Sequence, residues 1–98
     1  MSFSVVLLAR AKHELLDAWE WHEDKQAGLG DRLIEEVYKT VNNIQKNPAH
    51  YPQRKRHYRE ALTDVFPYLI IYRVLNKEKT IVVSSIFHCS RNPRKKYK

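Results

Sequence analysis

The stretch PYLIIYRVL, residues 67–75, is the most β-prone run in the chain. Tyr, Ile and Val favour the pleated, half-buried surroundings of a strand. Successive strand side chains point to opposite faces. Tyr68, Ile70, Tyr72 and Val74 therefore share one face, and Leu69, Ile71, Arg73 and Leu75 the other. Both faces are apolar, as expected of a central strand covered on both sides. Arg73 is the exception. In phase with Leu69 and Ile71, its guanidinium must reach water, a partner or a ligand, because an unpaired buried charge is costly. A stem lying on the sheet with its head in water and a charge held out for a ligand fit the pattern equally well.

The neighbouring segments build outward from this strand. Asn76, Lys77 and Glu78 make a hairpin connection, Asn being tolerant of positive φ, and lead into a closing strand over residues 79–88. Upstream, Thr63 and Asp64 mark a turn. It follows a strand over residues 57–62 with Tyr58, Glu60 and Leu62 on one face and His57, Arg59 and Ala61 on the other. Residues 48–56 contain two prolines and no apolar period, and read as a loop. Before them lie two helical patterns. In the first, from about residue 10 to about residue 26, Leu8, Ala11, Leu15, Ala18, Trp19 and His22 recur at three- and four-residue spacing. In the second, from Asp31 to about Lys46, the stripe is Leu29, Leu33, Val37, Val41 and Ile44, and Asn47-Pro48 stops it. Gly28 suits the left-handed end of the first helix, and Asp31 the start of the second. Residues 2–8, with Phe3, Val5 and Leu7 in phase, form a first strand. The order β-α-α-β-β-β predicts an α+β fold: a helical hairpin packed on one face of a mostly antiparallel four-stranded sheet.

The chain of 98 residues is 43% hydrophobic, enough for one core, and reads as a single domain over residues 1–98. No run approaches the roughly 18 apolar residues that a membrane span needs. The apolar run at residues 5–9 is too short for a secretory signal. One cysteine, Cys89, excludes an internal disulfide framework and fits a reducing compartment. The expected location is the cytoplasm.

Charge separates the two halves. Residues 1–50 hold six Lys/Arg against eight Asp/Glu, and residues 51–98 hold twelve against three. The first half is a self-balanced helical scaffold, whereas the second is a surface for an anion, either nucleic acid or an acidic protein segment. Two acid-free clusters dominate it. One contains Arg54, Lys55, Arg56 and Arg59, and the other contains Arg91, Arg94, Lys95, Lys96 and Lys98. Tyr58 and Tyr97, interleaved with them, are placed to stack on bases. Arg54, Lys55, Arg56, Arg94, Lys95, Lys96 and Tyr97 are accordingly the candidate nucleic-acid or partner-binding residues. A solvated loop and tail that merely aid solubility is the plainer alternative.

Chemistry on a phosphodiester needs a base, a cation over the phosphate and a second proton donor. His88 is the candidate base, with Arg59, Arg73 and Arg91 as charge stabilisers. His57 reads as a surface residue, His22 as a packed helix residue, and His50 as loop. Cys89 beside His88 does not make a nucleophile–base pair, since adjacent strand residues face opposite ways. His13-Glu14 lacks the second His of a zinc helix. Two glycines cannot form a phosphate loop, and no metal-ligand spacing occurs. No cofactor and no metal are expected.

These residues resemble the RelE/ParE toxin superfamily of type II toxin–antitoxin modules over nearly the whole length. The resemblance rests on Ala11-x-x-x-Leu15 with Trp19, on the Asn47-Pro48 stop, on Tyr68 to Val74, and on the closing Ile86-Phe-His88-Cys-Ser-Arg91-Asn-Pro93. It implies a four-stranded sheet with a helical hairpin, and a cognate antitoxin that wraps the toxin and masks its basic face. A homodimer or a toxin–antitoxin heterotetramer are the candidate assemblies. ParE-like members of this plasmid-stabilisation class poison DNA gyrase without cutting nucleic acid, and RelE-like members are enzymes that cut mRNA on the ribosome. His88-x-x-Arg91-x-Pro93 looks ParE-like. Arg59, Arg73, His88 and Tyr97 approximate the RelE-like set, but no carboxylate lies between Pro48 and Arg59, where some ribonuclease members carry their base. The leading expectation is a gyrase-directed toxin. An mRNA endonuclease and a non-catalytic basic binding module, or decayed toxin, are the alternatives.

Overall fold

A computed structural model describes residues 3–97; Ser2 and Lys98, assigned above to the first strand and the basic tail, lie outside them. The elements in chain order are β1 (Ser4–Leu7), α1 (Ala9–Lys25), α2 (Leu29–Lys46), β2 (Gln53–Lys55), β3 (Tyr58–Leu62), β4 (Tyr68–Leu75), β5 (Thr80–His88) and a 3-10 turn (Pro93–Lys95). The sheet order is β1-β5-β4-β3-β2. β1 runs parallel to β5, and the other three pairings are antiparallel. The α+β architecture expected from the sequence holds with one change: the described residues form five strands, not four. The additional strand, β2, falls in the segment read as a loop. All three of its residues are exposed, so no apolar alternation marks it. Backbone pairing to β3 through a bulge defines it instead.

The helical hairpin covers one face. Ala11, Leu15 and Ala18 of α1 and Leu33, Val37, Val41 and Ile44 of α2 meet Ala61, Tyr68, Ile70, Tyr72, Ile81, Val83 and Ile86 in one core. The stripe of α2 is the expected one, with Leu29 only half-buried at its start. α2 begins two residues earlier than Asp31, because the cap is supplied from α1. The Glu23 carboxylate accepts the backbone N–H groups of Gly28 (3.1 Å), Gly30 (2.9 Å) and Asp31 (3.3 Å). A carboxylate at the positive end of a helix satisfies orphan donors and complements the dipole. Gly28, at φ 88°, caps α2 rather than ending α1. At the β4–β5 hairpin the left-handed residue is Lys79 (φ 52°) in place of Asn76.

The second face explains why β4 is apolar on both sides. Ile71 and Phe87 are fully buried and Val82 nearly so, and none of these belongs to the helix-side core. Register places Glu60 opposite Ile71 and Leu69 opposite Phe87 on this face. Its cover is the C-terminal tail. Arg91 lies over the Phe87 ring at 5.6 Å, Tyr97 packs on Tyr58 with centroids 5.1 Å apart, and Lys96 and Tyr97 both reach Glu60. Arg10 of α1 donates to the tail carbonyls of Lys95 and Lys96.

Candidate functional site

The structure distributes the four candidate catalytic residues over three places, with only His88 and Arg91 together. His88, at the end of β5, is opposite Tyr68, and their rings meet edge-on at 5.0 Å. Its Nδ1 accepts the Ser90 backbone N–H (3.0 Å) and lies 2.7 Å from Ser90 Oγ, leaving Nε2 as the free ring nitrogen. Arg91 is beside it. Both line an open groove of about 500 Å³ with Glu14, Asp17, Trp21 and Tyr68. The Arg91 guanidinium is spoken for by Glu14, at 3.1 Å.

Arg59 lies on the same face at the other end, opposite Tyr72. Tyr72 is four steps along β4 from Tyr68, on the order of 13 Å. The Arg59 guanidinium donates to the carbonyls of Tyr51 (2.6 Å) and Ala49 (3.2 Å), holding the loop against the sheet. Tyr72 fixes the same loop through Pro48 O (2.7 Å), and its burial pushes the phenol up to about 12. Arg73 points to the opposite face, opposite Val82. It is half-buried, and among the described residues no acid pairs with it, in keeping with a stem on the sheet and a head in water. No single phosphate position is shared by His88, Arg59 and Arg73.

The binding candidates do converge. Lys55 sits with its ammonium 5.4 Å over the Tyr97 ring. Arg54 is close enough to act on the Tyr97 phenol electrostatically. Arg56 occupies the hairpin tip at φ 52°, its carbonyl held by the Gln53 side chain. Arg94 and Lys95 extend from the 3-10 turn, exposed. Arg54 and Lys55 of the first cluster thus meet the tail at Tyr97, which also packs on Tyr58 and is close in sequence to Arg94 and Lys95. Among the described residues, Arg54, Lys55, Arg56, Arg94 and Lys95 have no acidic partner, whereas Lys96 is paired to Glu60 at 3.3 Å.

Two carboxylates organise this end of the molecule, and neither was singled out from the sequence. Glu60 is 7% exposed and accepts from Tyr97 Oη and Lys96 Nζ. Burial first, and then the bond to Glu60, push the Tyr97 phenol far up, so it remains a donor. Glu14 accepts from Ser85 Oγ (2.7 Å), the Ile86 backbone N–H (3.1 Å), Arg91 and Arg10. Both had a signal. Glu14 is in phase with Ala11 and Ala18 on the apolar stripe of α1. Glu60 is the one acid between Arg54 and Thr63, on a strand facing a buried surface.

His22 is a packed residue, as expected. It is 7% exposed, with Trp21, Phe66 and Tyr68 edge-on around its ring. Burial, and secondarily His88, lower its pKa from the ordinary 6.5. The folded state therefore resists a proton that the unfolded chain accepts. Its contribution to stability is whole above 6.5 and is lost as pH falls from there toward the folded value. The expected result is a melting temperature that drops as pH falls below 6.5, with a shallower drop in His22→Phe. Parallel profiles for the two proteins would remove His22 as the cause.

A cationic face on a two-helix, five-stranded α+β module defines a class, and comparison with known proteins identifies the family. Residues 5–93 match the family described as ParE toxin of type II toxin-antitoxin system, parDE. The chain belongs to this family of toxins. Its fold is similar to a chain of the chromosomal ParDE TA system from P. aeruginosa, with a TM-score of 0.76 at 16% identity, covering 88% of this chain and 95% of that one. It is also similar to a chain of the RelBE2 toxin-antitoxin complex from Mycobacterium tuberculosis (TM-score 0.65, 16% identity, 90% and 99% covered). The isolated E. coli RelE toxin is a further match (TM-score 0.66, 17% identity, 94% and 89% covered). Among proteins with curated descriptions, none matches the chain in sequence.

Proposed function

We propose that the chain is a toxin that binds and inhibits DNA gyrase in the cytoplasm and is silenced by a cognate antitoxin. The observation that carries the reading is geometric. Arg59 is committed to loop carbonyls, Arg73 is on the other face, and His88 with Arg91 is in a separate groove. Phosphoryl transfer at a single centre requires base and cations within reach of one phosphate, and this arrangement favours binding over cutting. The family match supports the ParE branch. The solved relatives that are toxin–antitoxin complexes support an antitoxin partner. The surface offered to nucleic acid, free or held by gyrase, is the cationic one built on Arg54, Lys55, Arg56, Arg94, Lys95, Lys96 and Tyr97.

Induction of the chain alone in a bacterial host tests this. Growth arrest with filamentation, DNA damage and intact transcripts is the expected outcome. Arrest with transcripts cut on the ribosome would move the protein to the RelE-like activity. Absence of arrest, with tight binding to the neighbouring gene's product, would leave a binding module.

A further inference from the structure

Among the described residues, Glu60 is the only acid in the five strands or in the tail after β5. It is also among the most buried charged groups, and both of its side-chain partners come from the tail. A carboxylate placed so does not serve the core on the helix side. It anchors Lys96 and Tyr97, and through Tyr97 it sets Lys55 and Tyr58 against the tail. We infer that Glu60 is a positioning residue that assembles the two basic clusters into one surface for the phosphate backbone of duplex DNA.

The choice of ligand follows from what the surface lacks. A protein partner needs apolar anchors at the centre of its interface. Among the described residues, the large exposed hydrophobics are Val6, Leu8, Leu16, Trp21, Tyr38, Leu62 and Val65, and none of them lies in the hairpin at residues 53–59 or in the tail. A duplex presents regularly spaced charges and asks only for cations held in register. Arg54, Lys55, Arg56, Arg94 and Lys95 supply them. The inference rests on the gyrase reading only for taking duplex DNA as the probe.

The test turns on sign. Glu60→Leu raises the net charge by one, so attraction by the overall field alone would tighten binding to a polyanion. Release of the tail instead withdraws Arg94 and Lys95, and affinity falls. The measurement is fluorescence anisotropy of a labelled duplex oligonucleotide with the full chain across a salt series. Expected for Glu60→Leu is about tenfold weaker binding near 0.1 M salt and a log–log salt slope shallower by about 2. Trypsin should also cut faster at Arg94 and Lys95 in a variant whose melting curve stays cooperative. Unchanged or tighter binding overturns the inference. So does a wild-type chain that binds poly-glutamate but not the duplex.

Should Glu60→Leu not fold, Tyr97→Phe decides, since it removes one bond to Glu60 and no charge. About threefold weaker binding supports the inference, and equal binding ends it. The two readings fail separately. Glu60-dependent DNA binding by a chain that leaves gyrase active sinks the toxin reading alone. Gyrase inhibition by a chain that does not bind the duplex sinks this one alone.

Discussion

Gly30→Ala is expected to destabilise the protein by about 2 kcal/mol, although alanine is the better helix former by up to about 1 kcal/mol. Gly30 is buried at the start of α2, where the two helices cross. A Cβ there would lie 2.6 Å from the Trp19 carbonyl oxygen, 2.6 Å from Glu23 Cγ and 2.8 Å from Trp19 Cδ1. The side-chain atoms can move, but a backbone carbonyl inside α1 cannot. The helices must part, and the Gly30 N–H to Glu23 bond and the Trp19 Nε1 to Asp31 bond (2.9 Å) are strained with them. Overpacking of this kind costs about 1–3 kcal/mol or more, which exceeds the gain in propensity. A fall in melting temperature of roughly 8–16 °C is expected for a domain of this size. A rise would mean that the helices are spaced more loosely than described.

Glu14→Ala is expected to be at least as damaging, for a different reason. β1 ends at Leu7, opposite Val83, so among the described residues the rest of β5 has no strand on that side. Glu14 substitutes for one. Its Oε1 takes the Ile86 N–H and the Ser85 hydroxyl, groups on residues that are 1% and 0% exposed. Removing the acceptor strands both, at about 1–3 kcal/mol for each unsatisfied buried group. The ion pair with Arg91, which is nearly half exposed, adds little once solvent screening is allowed for. The total is about 3 kcal/mol, a loss of roughly 12–24 °C in melting temperature. Glu14→Gln keeps an oxygen for the edge and gives up only the charge, and its expected loss is under about 1 kcal/mol. Equal losses in the two variants would assign the effect to the ion pairs instead.

Much of this was legible in the sequence because it is written in local period. The two-faced apolarity of residues 67–75 required cover on both sides, and both are covered. The stripe of α2 gave its buried face correctly through Leu33, Val37, Val41 and Ile44. What escaped depends on partners distant in the chain. β2 is three exposed residues made into a strand only by the backbone of β3. The tail has no apolar period, so it read as a basic cluster for an anion with nothing to mark it as docked, yet Glu60 holds it 36 residues away. The candidate site followed the same division. Charge density located the cations. Which of them act together was set by register: Arg59 and Arg73 belong to opposite faces, and only the pairing of β3 with β4 and β5 reveals it.

The claim that the chain works by engaging gyrase is tested most directly with purified components. The full chain is titrated into a supercoiling reaction of gyrase, relaxed plasmid and ATP, with a ribosome-programmed mRNA incubated in parallel. The account expects supercoiling to fail in proportion to added chain, recovery on adding the cognate antitoxin, and an intact message. Supercoiling that proceeds undisturbed while the message is cut would contradict it.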